Sequence, residues 1–243
     1  MSGLFRTFRR RRLLRRPFPP EWLDFLERRI PFWGGLAPES RPRFLDLLKV
    51  FAWEKEFIGA GGFSITDEVR VVVSATAVRL VLYLDLSYYD RLREIIVYPD
   101  TFRLPDRTGG VLGEAKNWGT VILSWRAVLA GLGDPRDGHS TAVHEFAHVL
   151  DREDGAFDGT PQLRQYSHYR AWASVMGEHF LKLREGRPVE RQVLDDYGGL
   201  NEAEFFAVAT ESFFEKPRQM KDKTPELFEE LKRFYGCDPT PGG

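Results

Sequence analysis

The sequence predicts an α+β fold, mostly helical with a small sheet. Apolar residues recur at three- and four-residue spacing through most of the chain, and only a few short β-rich runs interrupt them. No internal repeat or low-complexity segment appears beyond an arginine run near residue 10. With 243 residues, 42% hydrophobic and 29% charged, the chain can bury a core and line a cleft without disulfide staples. The expected organisation is a basic, mobile tail at 1–16, one domain at 17–237 and a flexible end at 238–243.

The tail holds seven arginines (Arg6, Arg9 to Arg12, Arg15 and Arg16) and no acid, leaving 28 basic against 36 acidic residues elsewhere. Such a run can steer toward an acidic partner, a membrane surface or nucleic acid, but a solvated end is the simpler expectation. Neither a membrane nor a direct nucleic-acid partner is therefore expected. "RRPFPPEW" leaves no apolar core for a secretory leader, and no window approaches the roughly eighteen apolar residues of a membrane span. Cys237 is the single cysteine, so an internal disulfide is impossible, a reducing compartment fits, and the expected location is cytoplasmic.

"PPEWLDFLERRI" reads as a short helix with Pro20 near its start and Pro31 at its end, and "PRFLDLLKVFAWEKEF" as a second. After the break "GAGG", "TDEVRVVVSATAVRLVLYL" is ambiguous, because Thr66 and Asp67 suit a helix cap while the valines favour strand. "REIIVYPDTF" and "GTVILSW" read as strands. Val143, Phe146, Ala147 and Leu150 define a helix from Ser140, its expected N-cap, to about Arg152. A loop, "GAFDGTPQL", precedes a helix from about Ser167 to Leu183, and "REGRPVERQVLDDYGGL" is an irregular connection. "NEAEFFAVATESFFEK" is helical up to Pro217, and "TPELFEELKRFYG" has Thr224 as N-cap, Pro225 at the first position and Gly236 past the end.

Within the helix after Ser140, "HEFAH" places His144 and His148 four apart on one face, where each can aim a ring nitrogen at a shared ion about 2.0–2.1 Å away. Glu145 lies about 100° round the helix, unsuited to ligation but able to reach water beside that ion. A catalytic zinc site needs a third protein ligand, and spacing leaves several candidates. Asp151 is better placed to orient a histidine, and Asp154 would need glycine at 151 to turn back. His168 and His179 read as surface or satisfied core residues. Glu204 and Glu211, seven apart on an aromatic-rich helix, would need a partner when buried. Asn201 three before Glu204 offers a competing reading as a capping box.

Two stretches, "GTVILSWRAVLAGLGDPRDGHSTAVHEFAHVLDREDG" and "DDYGGLNEAEFFAVATESFFEKP", resemble the Mlc titration factor A family of bacterial zinc peptidases, whose catalytic core is similar to that of anthrax lethal factor. The likeness runs from roughly residue 118 to the C-terminal "PELFEELKRFYGCDP", about half of the chain. It implies a zincin-like fold whose edge strand flanks the active-site helix, and one Zn2+ per chain held by His144, His148 and Glu204. It further implies Glu145 as general base, Tyr197 pointing into the site to stabilise an oxyanion, and Glu211 and Asp151 as supporting carboxylates. This chain departs from the family's pattern at Glu202, where proline is common.

The implied activity is peptide hydrolysis, as an aminopeptidase on short peptides, and the implied partner is the repressor Mlc. An aminopeptidase needs an acid to hold the substrate α-amine, and Glu114 or another acid near the site is the candidate. As an edge strand, "GTVILSW" would pair with an extended peptide substrate. The alternatives are a regulatory protein that sequesters a transcription factor, with incidental peptidase activity, and a metal-free scaffold.

Overall fold

The computed structural model describes residues 3–101, 113–116, 119–153 and 155–240, with backbone alone at 3–4 and 113–116. Helices α1 (Gly3–Leu14), α2 (Pro20–Arg29), α3 (Pro31–Gly35) and α4 (Arg41–Glu54) come first, followed by strand β1 (Glu56–Gly59) and helix α5 (Asp67–Val81). Strands β2 (Glu94–Tyr98), β3 (Gly113–Lys116) and β4 (Thr120–Ser124) complete the sheet, and α6 (Trp125–Gly133) leads to α7 (Thr141–Asp151). The C-terminal part holds α8 (Tyr169–Arg184), α9 (Pro188–Val193), α10 (Glu202–Glu215), α11 (Pro217–Lys223) and α12 (Pro225–Tyr235). The fold is mostly helical α+β, as the sequence predicts, and no described helix is long and apolar enough to cross a membrane.

The ambiguous valine-rich segment is a helix. Thr66 caps α5 by accepting from the Val69 amide at 3.3 Å, and Asp67 and Glu68 complement the first turn. Val71, Val72, Val73, Ala75, Ala77 and Val78 are wholly buried, so α5 is apolar all round because α2, α4 and α7 pack against it. That burial overrides the β preference of its branched side chains. Elsewhere, α6 and α9 occupy segments to which the sequence pattern assigns no helix, and Gly236 ends α12 in the left-handed region at φ 71° as expected.

The sheet runs β1-β2-β4-β3, with β1, β2 and β4 parallel and β3 antiparallel to β4. The 119–125 segment is therefore not the edge expected from sequence. Residues Thr120–Ser124 are hydrogen-bonded on both sides, and the edge strand that packs beside α7 is β3. "GEAK" carries no β signal of its own; β4 supplies the pairing that makes it a strand. Ile95, Val97, Val121 and Leu123 turn inward to the main hydrophobic cluster, which also takes in α2, α4, α5, α7, α8, α10 and α12.

The basic segment read from sequence as a mobile tail is helix α1, seated on α4. Arg10 grips Glu54 with two bonds of 2.7 and 2.8 Å and reaches Asp90 at 2.6 Å; Arg6 pairs with Asp90 as well. Leu13 is buried, and the Lys49 ammonium closes the helix end on the carbonyls of Leu14 (2.8 Å) and Arg16 (3.0 Å). Burial alone would raise the Glu54 pKa, but Arg10 and Lys55 prevail and lower it to about 2. This depressed value means that Glu54's contribution is fully present above its unfolded pKa of about 4.3 and is lost as pH falls toward 2. Protection of the α1 amides against hydrogen exchange should follow that window, and Arg10→Ala should weaken the docking by about 1.5–3 kcal/mol at neutral pH.

Candidate metal centre

Helix α7 carries His144, Glu145 and His148, and α10 packs closely along it. Burial of Phe205, Phe206 and Phe213 fixes the rotation of α10, which leaves Glu204 and Glu211, two turns apart, facing α7. Asn201 caps α10, its side-chain oxygen accepting from the Glu204 amide at 3.0 Å. Only this half of a capping box forms. The Glu204 carboxylate does not return to the cap but extends to the histidines, 2.9 Å from His144 Nε2 and 3.2 Å from His148 Nε2.

The two Nε2 atoms lie 3.1 Å apart, so two imidazoles and one carboxylate oxygen form a small triangle from elements 56 and 60 residues apart. A tetrahedral ion with bonds near 2.1 Å would space its donors about 3.4 Å apart. Edges of 2.9, 3.1 and 3.2 Å need to open by only a few tenths of an ångström, so the residues present fit a metal ion. The donor set, two imidazoles and one carboxylate, is that of catalytic zinc sites that keep a fourth position open.

Glu211 works behind this triangle. One of its oxygens lies 2.7 Å from His144 Nδ1, and the other accepts from the Ser140 amide at 2.6 Å. Ser140 thus stands at the N-cap position of α7 without a side-chain capping bond; it contributes its backbone N–H to hold Glu211. With Nδ1–H donated to Glu211, the Nε2 lone pair of His144 is directed at the ion position. Burial lowers the affinity of His144 for a proton, but hydrogen bonds to Glu204 and Glu211 outweigh it and raise the pKa to about 10. Burial keeps the His148 pKa below its ordinary value, whereas the two histidines hold Glu204 well below the usual carboxylate range against its own burial.

Glu145 is buried on the same helix, near enough for its charge to help raise His144. Tyr197 lies in a 3-10 turn, Asp196–Gly199, whose start is tied by Asp195 accepting from the Tyr197 amide at 2.7 Å. Its ring is 48% exposed and 5.9 Å from the His144 ring. Phe157, which sequence reasoning did not single out, stands 5.1 Å from the His148 ring under the Arg152 guanidinium. A lone aromatic in a loop carries no periodic signal that would have marked it.

Asp151 is fully buried and accepts from the Gly159 amide at 3.1 Å, so it anchors the 155–163 loop. Gly159 has φ 76°, and a Cβ there would sit 2.3 Å from the Glu202 carbonyl oxygen; this contact presses the loop against the start of α10. His179 is a satisfied core residue, 3.2 Å from Glu190, and His168 lies on a 3-10 turn lining a small cavity with Trp172 and Phe234. Cys237 is held as a thiol by burial, which pushes its pKa up to about 11. Asp154 lies outside the described residues, and of Glu114 only the backbone, in β3, is described.

A metal ion must displace the proton that His144 carries near neutrality. Zn2+ binding at pH 7 should therefore release about one proton, and apparent affinity should rise about tenfold per pH unit until His144 is neutral. Calorimetry in buffers of different ionisation enthalpy reads both. Glu211→Gln should lower the affinity by about 10- to 100-fold, and His148→Ala should abolish stoichiometric binding.

Comparison with known proteins agrees with this geometry. The model of the family described as glucose-regulated metallo-peptidase M90 matches residues 5–236. An uncharacterised protein of Synechocystis sp. is 37% identical over 96% of this chain and 89% of its own length. Proteins named Mlc titration factor A are similar as well: that of Serratia proteamaculans at 25% identity (90% of this chain, 87% of the relative) and that of Cronobacter sakazakii at 26% (86% and 84%).

Proposed function

The chain belongs to the glucose-regulated metallo-peptidase M90 family, and from that premise we propose that it is a zinc-dependent peptidase, an aminopeptidase on short peptides, with Glu145 as general base. The observation that carries this reading is the convergence of His144 Nε2, His148 Nε2 and a Glu204 oxygen within 3.2 Å of one another, with Glu145 beside them. These three side chains would hold one zinc ion per chain, which when bound would supply Lewis-acid chemistry to water and to a carbonyl.

Glu145 takes the proton from the attacking water and returns it to the departing amine. The Tyr197 phenol, reached across the open side of the site, donates a hydrogen bond to the oxyanion that forms at the scissile carbonyl. Glu211 keeps His144 oriented throughout. The edge strand β3, beside α7, offers backbone groups to an extended peptide, the role that sequence reading gave to residues 119–125.

A second reading rests on relatives named Mlc titration factor A: this chain also binds a transcriptional repressor, in the cytoplasm, independently of peptide hydrolysis. Purified Mlc-type repressor retained by Glu145→Gln protein would support that role, and absence of retention at micromolar concentrations would remove it.

For hydrolysis, Glu145→Gln should retain zinc and lose about 10²- to 10⁴-fold in turnover. Tyr197→Phe should lower kcat by about 10²- to 10³-fold with little change in KM. A peptide library with free and acetylated amino ends checks both and reads the end preference. A fully active Glu145→Gln enzyme would refute the mechanism.

A further inference from the structure

Helix α1 has two faces with different fates. Arg6, Arg10 and Leu13 share the side turned to the body, where the two arginines meet Asp90 and Glu54 and Leu13 is buried. At about 100° per residue, Phe8, Arg11 and Arg12 fall on the opposite side, with Phe5 at its margin and Arg15 in the turn just past the helix end. All five are exposed, and both phenylalanine rings are 72% exposed. Among the described residues Arg11, Arg12 and Arg15 form no ion pair, so three cations and two aromatic rings face outward together, with Arg9 exposed on the flank.

We propose that this outward face of α1 docks the protein on an anionic lipid bilayer. Two rings exposed to this degree are unfavourable in water and are buried when they enter the interfacial zone of a membrane, while guanidinium groups beside them meet lipid phosphates. The charge distribution gives the contact a direction. Outside the first sixteen residues the chain has 28 basic against 36 acidic side chains, so an anionic plane attracts α1 and repels the remainder. Nucleic acid would engage the arginines equally well but offers the two rings no apolar layer to enter. The face is preformed, because Lys49 and the Arg10–Glu54 pair hold the helix in place before any contact. Since no described helix can span a bilayer, the association is peripheral.

The test is co-sedimentation of the full-length protein with phosphatidylglycerol vesicles and, separately, phosphatidylcholine vesicles. Binding to the anionic vesicles alone, weakening as salt is raised, is the expected result. Replacing Phe5 and Phe8 together by serine, with every arginine kept, should weaken it about tenfold or more. Glutamine at Arg11, Arg12 and Arg15 should weaken it about 100-fold. Neither set touches the body, so circular dichroism and zinc content should match the unaltered protein. The proposal is overturned by failure to sediment with anionic vesicles at physiological ionic strength or by equal binding to neutral vesicles. It is equally overturned by indifference to the serine replacements, or by tighter retention on double-stranded DNA of arbitrary sequence than on vesicles. None of these readouts depends on peptide hydrolysis.

Discussion

The packing of α10 against α7 is the constraint on which the rest of the centre depends. It sets His144 between two carboxylates, with Glu204 at 2.9 Å on one ring nitrogen and Glu211 at 2.7 Å on the other. Bringing these groups out of water is unfavourable, and the arrangement exists because the aromatic side chains on the same helix must be buried. Phe205, Phe206 and Phe213 each remove nearly all of their surface from solvent, which offsets the desolvation of the acids. The outcome is a concentrated negative field around one imidazole, and a cation is what that field favours. In the absence of an ion the cation is a proton on His144.

The surrounding elements keep this pairing in register from several directions. Ser140, at the entrance of α7, holds Glu211 through its backbone; Asn201, at the entrance of α10, holds the Glu204 amide. The loop after α7 returns to the same place, tied to α7 by Asp151 and pressed on the first turn of α10 at Gly159, whose carbonyl also accepts from the Trp172 indole at 3.2 Å. Each helix entrance is therefore fixed by a group belonging to the other or to the connection between them. Glu202 occupies the first position of α10, and Glu204 keeps its place on the histidines.

Charge is segregated in this molecule by structure as much as by composition. Seven arginines in sixteen residues look uniform in sequence, yet the structure divides them: Arg6 and Arg10 become partners of acids on the body, Arg16 lies over the Trp53 ring, and Arg9, Arg11, Arg12 and Arg15 stay exposed. Arg10 shows the distinction well, since its two bonds to Glu54 and one to Asp90 make it part of the framework. The sequence reading of this segment as a tail missed this because its partners lie 44 and 80 residues away, beyond the reach of any local pattern.

By itself the sequence determined what local rules encode: the helical spacing of His144 and His148 with Glu145 between them, the Asn201 cap of α10, the Gly236 stop of α12, and the predominance of helix, whereas Thr224, the expected N-cap of α12, makes no capping bond and its hydroxyl donates to the Met220 carbonyl instead. Those features depend on contacts within about four residues, which a linear pattern displays. Only the tertiary structure decided which of the competing acids meets the histidines, because Glu204 is 56 residues from His148 and its rotation is set by buried phenylalanines. It also decided that α5 is a helix, since burial on every side outweighs the β preference of its valines. The sheet edge was likewise a tertiary matter: a strand's position follows from what pairs with it, and Gly113–Lys116, with no strand signal of its own, takes the edge from Thr120–Ser124 by pairing across it.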